Sequence, residues 1–169
     1  DKFKDKLSGI QRCMAHARRY FFDVLKGLTP KEAKQSKARL VVEKFDKLFN
    51  QEKIFKEKKY TISVIKEKRN TNEYQKLVDS LHNEIWNIKA QPGSLLEKAV
   101  NYAKNSWDEL FTYREYGYLE ISNNIAERSV KPFVIARKNF LFSKTENGAQ
   151  ASGVLFSIIQ TAKANGLCI

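Results

Sequence analysis

The sequence predicts a mainly α-helical chain with a few short strands, and three observations carry that expectation. Gly and Pro are scarce, seven and three in 169 residues, so long stretches run without a breaker. Apolar residues recur at three- and four-residue spacing through most of the chain, the mark of amphipathic helices. Strong start and turn signals, "TPKE" and "AQPGS", punctuate that pattern.

The elements follow in order. "LSGIQRCMAH", with Ile10, Cys13 and Met14 as its apolar members, reads as a short strand. "AHARRYFFDVLKG" places Ala17, Phe21, Val24 and Leu25 on one helical face and closes at Gly27. In "LTPKEAK", Thr29 is the N-cap, Pro30 the first helical residue and Glu32 the third, a capping box with its proline. The helix continues with Leu40, Val41, Phe45, Leu48 and Phe49 as its stripe. Residues 53–69 are dense in Lys but keep an apolar thread through Ile54, Phe55, Ile62 and Ile65. A break at residues 70–72 leads to a helix carrying Leu77, Leu81, Ile85 and Ile88.

Ser94, after the "AQPG" turn, caps a helix through Leu95, Ala99, Tyr102, Ala103, Leu110 and Phe111. "NNIAERSVKP" then opens another, with Asn124 as cap and Glu127 reaching back to it. Pro132 is expected to kink or end that helix, because it lacks an N–H and crowds the preceding turn. "NFLFS" reads as a short strand. The last helix, "ENGAQASGVLFSIIQTAKANG", points Ala151, Leu155, Ile158, Ile159 and Ala162 inward. Three segments result: residues 1–29, a helical middle at 30–92, and 93–169, the outer two being more α/β-like.

Charge bounds the partners. Lys and Arg number 31 against 19 acids, a net charge of +12, which raises the prior for a polyanion, above all nucleic acid. No apolar run approaches the roughly 18 residues of a membrane span, and Cys13 and Cys168 make no disulfide framework. A piece of a longer cytoplasmic protein is expected, since the start lacks Met and a signal-peptide core.

Glu127 is the first candidate for chemistry. Its position serves a cap and the helix dipole equally well, and one carboxylate cannot hold Mg²⁺ unless others converge on it. Cys13 and His16 have half a zinc-site spacing, but His82 and Cys168 are isolated, so a packed Cys and His is the better expectation. The same pair as a nucleophile and base lacks an orienting third group. Arg18, Arg19, Arg128, Lys131, Arg137 and Lys138 lie beside apolar residues, suiting either phosphate contacts or pairing with acids such as Asp23. The Lys-rich run at 53–69 is either a solvated helix face or a salt-sensitive phosphate ridge.

The stretch "LEISNNIAERSVKPFVIARKNFLFSKTENGAQASGVLFSIIQTAKANGL" closely resembles the C-terminal catalytic signature of insertion-sequence-66-type bacterial transposases. "CMAHARRYF" and "NSWDELFTY" resemble further segments of that family, in the expected order. The resemblance implies the C-terminal part of a ribonuclease-H-like α/β core carrying a helical insertion, and DDE-type transposase activity on DNA. In that family two Asp and one Glu hold two divalent ions, Mg²⁺ or Mn²⁺, and the Glu of the NN-x-x-E-R motif matches Glu127. Arg18, Arg19, Arg128, Lys131, Arg137 and Lys138 become DNA-contacting candidates, with transposon-end and target DNA as partners.

The resemblance further implies that the two Asp belong to an upstream part of the same polypeptide, that the active complex is a homo-oligomer, and that it works at the nucleoid. Ser122 stands where the family usually has Asp, and Lys131 replaces the usual Arg, keeping the charge without the planar fork. Two rival readings are a non-catalytic basic helical module that binds nucleic acid, and a decayed transposase fragment.

Overall fold

Helix α1, Met14–Lys26, ends at Gly27 and buries Ala17 and Phe21 of the predicted face, with Val24 and Leu25 half-buried beside them and Met14, read as part of a strand, buried in the helix as well. It is part of a computed structural model that describes residues 10–140 and 143–167. Thr29 and Glu32 form the predicted reciprocal capping box, and Pro30 opens α2, Pro30–Gln35. That helix does not run on: Ser36 takes an extended conformation and its side chain caps a new helix, α3, Lys37–Glu57. Residues 62–69 form α4, Ile62–Arg69, and Thr71 caps α5, Asn72–Trp86, so the break at 70–72 falls where expected. Ser94 caps α6, Leu95–Asn105, and a break at Ser106 separates it from α7, Trp107–Phe111. A 3₁₀ turn, Thr112–Glu115, follows, and then α8, Asn124–Phe140, and α9, Glu146–Ala164.

The chain divides into two compact units, residues 1–122 and 123–169. In the first, α1 packs against α3 and α6, and α3 against α5. Phe21 meets Phe45 across α1 and α3, and Tyr20 meets Tyr102 across α1 and α6. The described part of the first segment, residues 10–29, therefore lies together with residues 30–92 and 93–122 in one helical unit. Several stripe residues are surface instead, Leu40 at 45% and Leu95 at 59% exposure.

One polar cluster is inside this unit. Arg69 and Glu52 are almost fully buried and joined fork to fork, at 3.0 and 2.6 Å. The remaining guanidinium N–H groups donate to the carbonyls of Tyr113, Tyr116 and Leu119 at 2.8–2.9 Å. All five donors are thus used. Tyr74 donates its hydroxyl to Glu52, so at 2.7 Å from it the Tyr113 hydroxyl must donate to Tyr74. Burial pushes both phenols well above their ordinary range, keeping them protonated as donors. The network ties α3, α4 and α5 to the strap that follows α7.

That strap passes very close to α4 at Gly117. A Cβ there would overlap the Ile62 backbone carbonyl, which cannot swing aside as a side-chain tip would. Gly117→Ala is therefore expected to destabilise the first unit by about 2 kcal/mol or more, within the range for overpacked sites. Urea unfolding of the purified chain measures this, and an unchanged midpoint would remove the close approach from the account.

The expected strands are not formed among the described residues. At "LSGIQRCMAH", residues 10–13 are irregular and Met14 already begins α1. Their hydrogen bonds go to helix ends and to the strap: Arg12 N–H to Glu109 O, Met14 N–H to Ile121 O, and Thr112 Oγ1 to Ile10 O. Among the described residues no strand offers a ladder beside residues 10–13; Leu7 to Gly9 lie outside the described residues. Of "NFLFS", Asn139 and Phe140 belong to α8, while Leu141 and Phe142 lie outside the described residues. Among the described residues the chain is mainly α and forms no ribonuclease-H-like sheet.

The second unit is a pair of helices joined by Phe133 against Phe156, edge to face at 5.2 Å. Pro132 neither ends nor starts a helix: α8 continues through it to Phe140. Proline's fixed φ suits a helix, and the cost is the lost donor to the Arg128 carbonyl. The stripe of α9 is not inward within this unit. Leu155 and Ile158 are about three-fifths exposed and no α9 residue is fully buried, because one helix alone covers it.

Candidate functional site

Helix α8 carries the densest set of candidates. Its first hydrogen bond runs from the Glu127 N–H to the Asn123 carbonyl at 3.0 Å. The cap position is thus Asn123, one residue before the Asn124 expected, and Asn124 is the first helical residue. Glu127 moves from third to fourth helical position but stays in the first turn, at the positive end of the helix. The reciprocal box with Asn124 therefore does not apply in its expected register.

At about 100° per residue, Glu127, Lys131, Val134 and Lys138 fall on one face of α8, with Arg128 at its edge. Ser129, Phe133 and Ala136 fall on the opposite face, the one that meets α9 through Phe133. Arg137 projects from the flank, away from Glu127. An open depression of about 740 Å³ lies along the first turns, walled by Asn123, Asn124, Ala126, Glu127, Arg128, Val130, Lys131 and Val134. Glu127, Arg128, Lys131, Arg137 and Lys138 are all exposed. Among the described residues the four basic side chains make no ion pair, and they outnumber the single acid of the helix. Such a face attracts an anion while presenting one carboxylate to whatever lies beside it.

Arg18 and Arg19 lie on α1 in the first unit. Arg18 makes a two-pronged contact with Asp46 of α3, at 2.7 and 3.1 Å, and lies over the Phe22 ring. Its partner is thus a residue of another helix; Asp23 pairs with Lys26 on its own helix at 2.7 Å. Arg19 is exposed. Cys13 and His16 sit just before and within α1, and Cys168 lies outside the described residues.

Among the described residues no three of His, Cys, Asp and Glu come together as a metal site. Glu127 by itself does not fit a Mg²⁺ centre, which needs several oxygen ligands. Among the described residues no helix is long and apolar enough to cross a membrane. The division of labour within the Lys-rich run at 53–69 was not visible in the sequence. Arg69, Lys56 and Lys53 hold acids of the fold, whereas Lys58 and Lys68 approach the ring of Tyr60. The only signal for it was an aromatic residue in the middle of a charge run.

Residues 4–151 match the Transposase IS66 family. The uncharacterized protein y4jD of Sinorhizobium fredii is 29% identical over 159 residues, which is 92% of this chain and 29% of that protein. The uncharacterized protein y4qI of the same organism is 33% identical over 87 residues, half of this chain and 16% of that protein. A third, y4hP, is 25% identical over 170 residues, 92% of this chain and 29% of its own length. The chain thus spans less than a third of the length of these curated relatives. No solved structure matches it.

Proposed function

Because the chain belongs to the Transposase IS66 family, we propose that it is the C-terminal part of a DDE-type transposase catalytic domain acting on DNA strands. One observation carries the reading: Glu127 stands in the first turn of α8 with Arg128, Lys131 and Lys138 around the same face. A carboxylate at a helix start is aimed by backbone geometry, and the ammonium and guanidinium groups beside it suit a phosphodiester. In this reading Glu127 is one of three acidic ligands to Mg²⁺ or Mn²⁺, and two Asp come from an upstream part of the polypeptide.

The exposed apolar residues of the second unit support a missing neighbour. Ile125, Ile135, Val154, Leu155 and Ile158 are each more than half exposed, too much apolar surface for two helices to keep in water alone. A ribonuclease-H-like sheet supplied by the upstream polypeptide would cover it. Arg137 and Lys138 would then follow the DNA beyond the site; Arg19, exposed on α1, is a separate DNA-contact candidate of the first unit. Arg18, engaged with Asp46, would act there only by exchanging that partner.

The test compares the chain with its parent. The 169-residue chain is expected to leave supercoiled plasmid intact in Mg²⁺ or Mn²⁺, whereas the parent cuts DNA carrying its transposon ends. EDTA-sensitive nicking by the chain alone would mean that all the acids lie within it. A parent that binds ends and never cuts would favour the rival, a basic nucleic-acid-binding module, which the net charge of +12 supports.

A further inference from the structure

The Lys-rich run at 53–69, which spans the end of α3 and all of α4, is divided by its partners. Arg69 is buried against Glu52, Lys56 pairs with Glu120, and Lys53 with Glu57. Among the described residues Lys58, Lys59, Lys66 and Lys68 make no ion pair. Lys58, at the end of α3, and Lys68, in the last turn of α4, bring their ammonium groups to one ring. They lie 6.0 and 5.0 Å from the centroid of Tyr60. Tyr60 is half-buried and held against Phe55 at 6.2 Å, so the ring is a fixed platform. The three residues line a groove of about 310 Å³, which Thr71 and Glu73 also wall. Glu73 is the only acid among those walls and stands in the first turn of α5, where the helix dipole favours it.

Two like charges beside one ring repel each other, and an anion bound near both would offset that repulsion. The turn itself adds a second sign. Lys59 has φ 51°, the left-handed region where Gly or Asn costs less than a long side chain. A lysine thus stands at a position where the backbone favours glycine.

We propose that this groove is a DNA-backbone site, with a phosphate between the Lys58 and Lys68 ammonium groups and Lys59 extending the positive rim. The Tyr60 ring offers the adjoining sugar or base an apolar face. The choice of DNA among polyanions rests on the transposase reading; the groove itself rests on the lysine geometry.

Fluorescence polarisation of the 169-residue chain with a labelled 25-base-pair duplex, across a salt series, tests it. The double variant Lys58→Gln/Lys68→Gln is expected to bind at least about tenfold more weakly at moderate salt. Its log–log salt slope should shrink by about 0.9, for the one phosphate that the two ammonium groups share. Lys31→Gln/Lys34→Gln, which removes the same charge from exposed positions on α2, is expected to cost under about threefold by the general field alone. Lys59→Gly should weaken binding while raising the melting temperature, a split that a merely structural lysine would not give. Wild-type binding with equal losses in both double variants would overturn the groove and leave the transposase reading standing. No binding of the chain to duplex or single strand at 50 mM salt, with binding to phosphatidylserine vesicles, would make it a membrane surface and overturn the assignment to DNA. Cutting by the parent is a separate measurement, so the two failures are distinguishable.

Discussion

Glu127→Gln in the parent protein is expected to reduce strand transfer to below about one-hundredth of wild type while leaving end binding within a few-fold. Loss of an outer partner of a metal site already costs about 10–100-fold, and a ligand that loses its charge should cost more. Binding survives in this reading because Arg128, Lys131 and Lys138 keep the positive face of α8. The substitution is nearly isosteric, and Glu127 is exposed, so the helix itself should lose under about 1 kcal/mol. A gel assay for joined product and a mobility shift with transposon-end DNA separate the two effects. Normal transfer by the variant would return Glu127 to a purely structural role at the start of α8. Parallel loss of binding and transfer would point instead to a misfolded α8, which thermal melting of the chain would reveal.

What could be read in advance was local. The capping box at Thr29 and Glu32, the Ser94 cap after "AQPG" and the break at 70–72 each depend on residues within four positions of one another, and each is present. The capping reading of Asn124 and Glu127 placed Glu127 in the first turn of α8, although the cap lies one residue earlier, at Asn123. Asn-Asn offers two caps of equal chemistry, and sequence alone cannot choose between them. The strand expected around residues 10–13 is not formed for the opposite reason: a strand needs a neighbour, and among the described residues none is present. The stripes misled where tertiary partners decide: Leu155 and Ile158 have helical spacing, yet one adjacent helix leaves them exposed. Pairings across the fold were equally hidden. Arg18 chose Asp46, on another helix, and Arg69 chose Glu52, seventeen residues back and outside any helical register.

Arg69→Leu is expected to cost the first unit about 3–5 kcal/mol, because it leaves the Glu52 carboxylate buried without its countercharge. The carbonyls of Tyr113, Tyr116 and Leu119 lose their donors as well, each a further penalty of about 1–3 kcal/mol if water cannot reach it. Domains of this size hold roughly 5–15 kcal/mol in total, so the variant should unfold below body temperature or fail to fold. Arg69→Lys is the sharper test, since it keeps the charge. An ammonium has three donors on one atom and cannot satisfy two Glu52 oxygens and three separated carbonyls together, so a loss of at least about 2 kcal/mol is expected in urea. A loss under about 0.5 kcal/mol would show that charge alone matters and that the fork geometry does not. The tyrosines supply an independent check through pH. Their phenols are raised, so the stability they contribute is intact below the unfolded value of about 10 and is lost as pH climbs toward their folded values. Tyrosinate absorbance from Tyr74 and Tyr113 should therefore appear only together with loss of helical signal. Ionisation of all seven tyrosines in a still-folded chain would mean that the cluster is open to solvent and that Arg69 does not seal it.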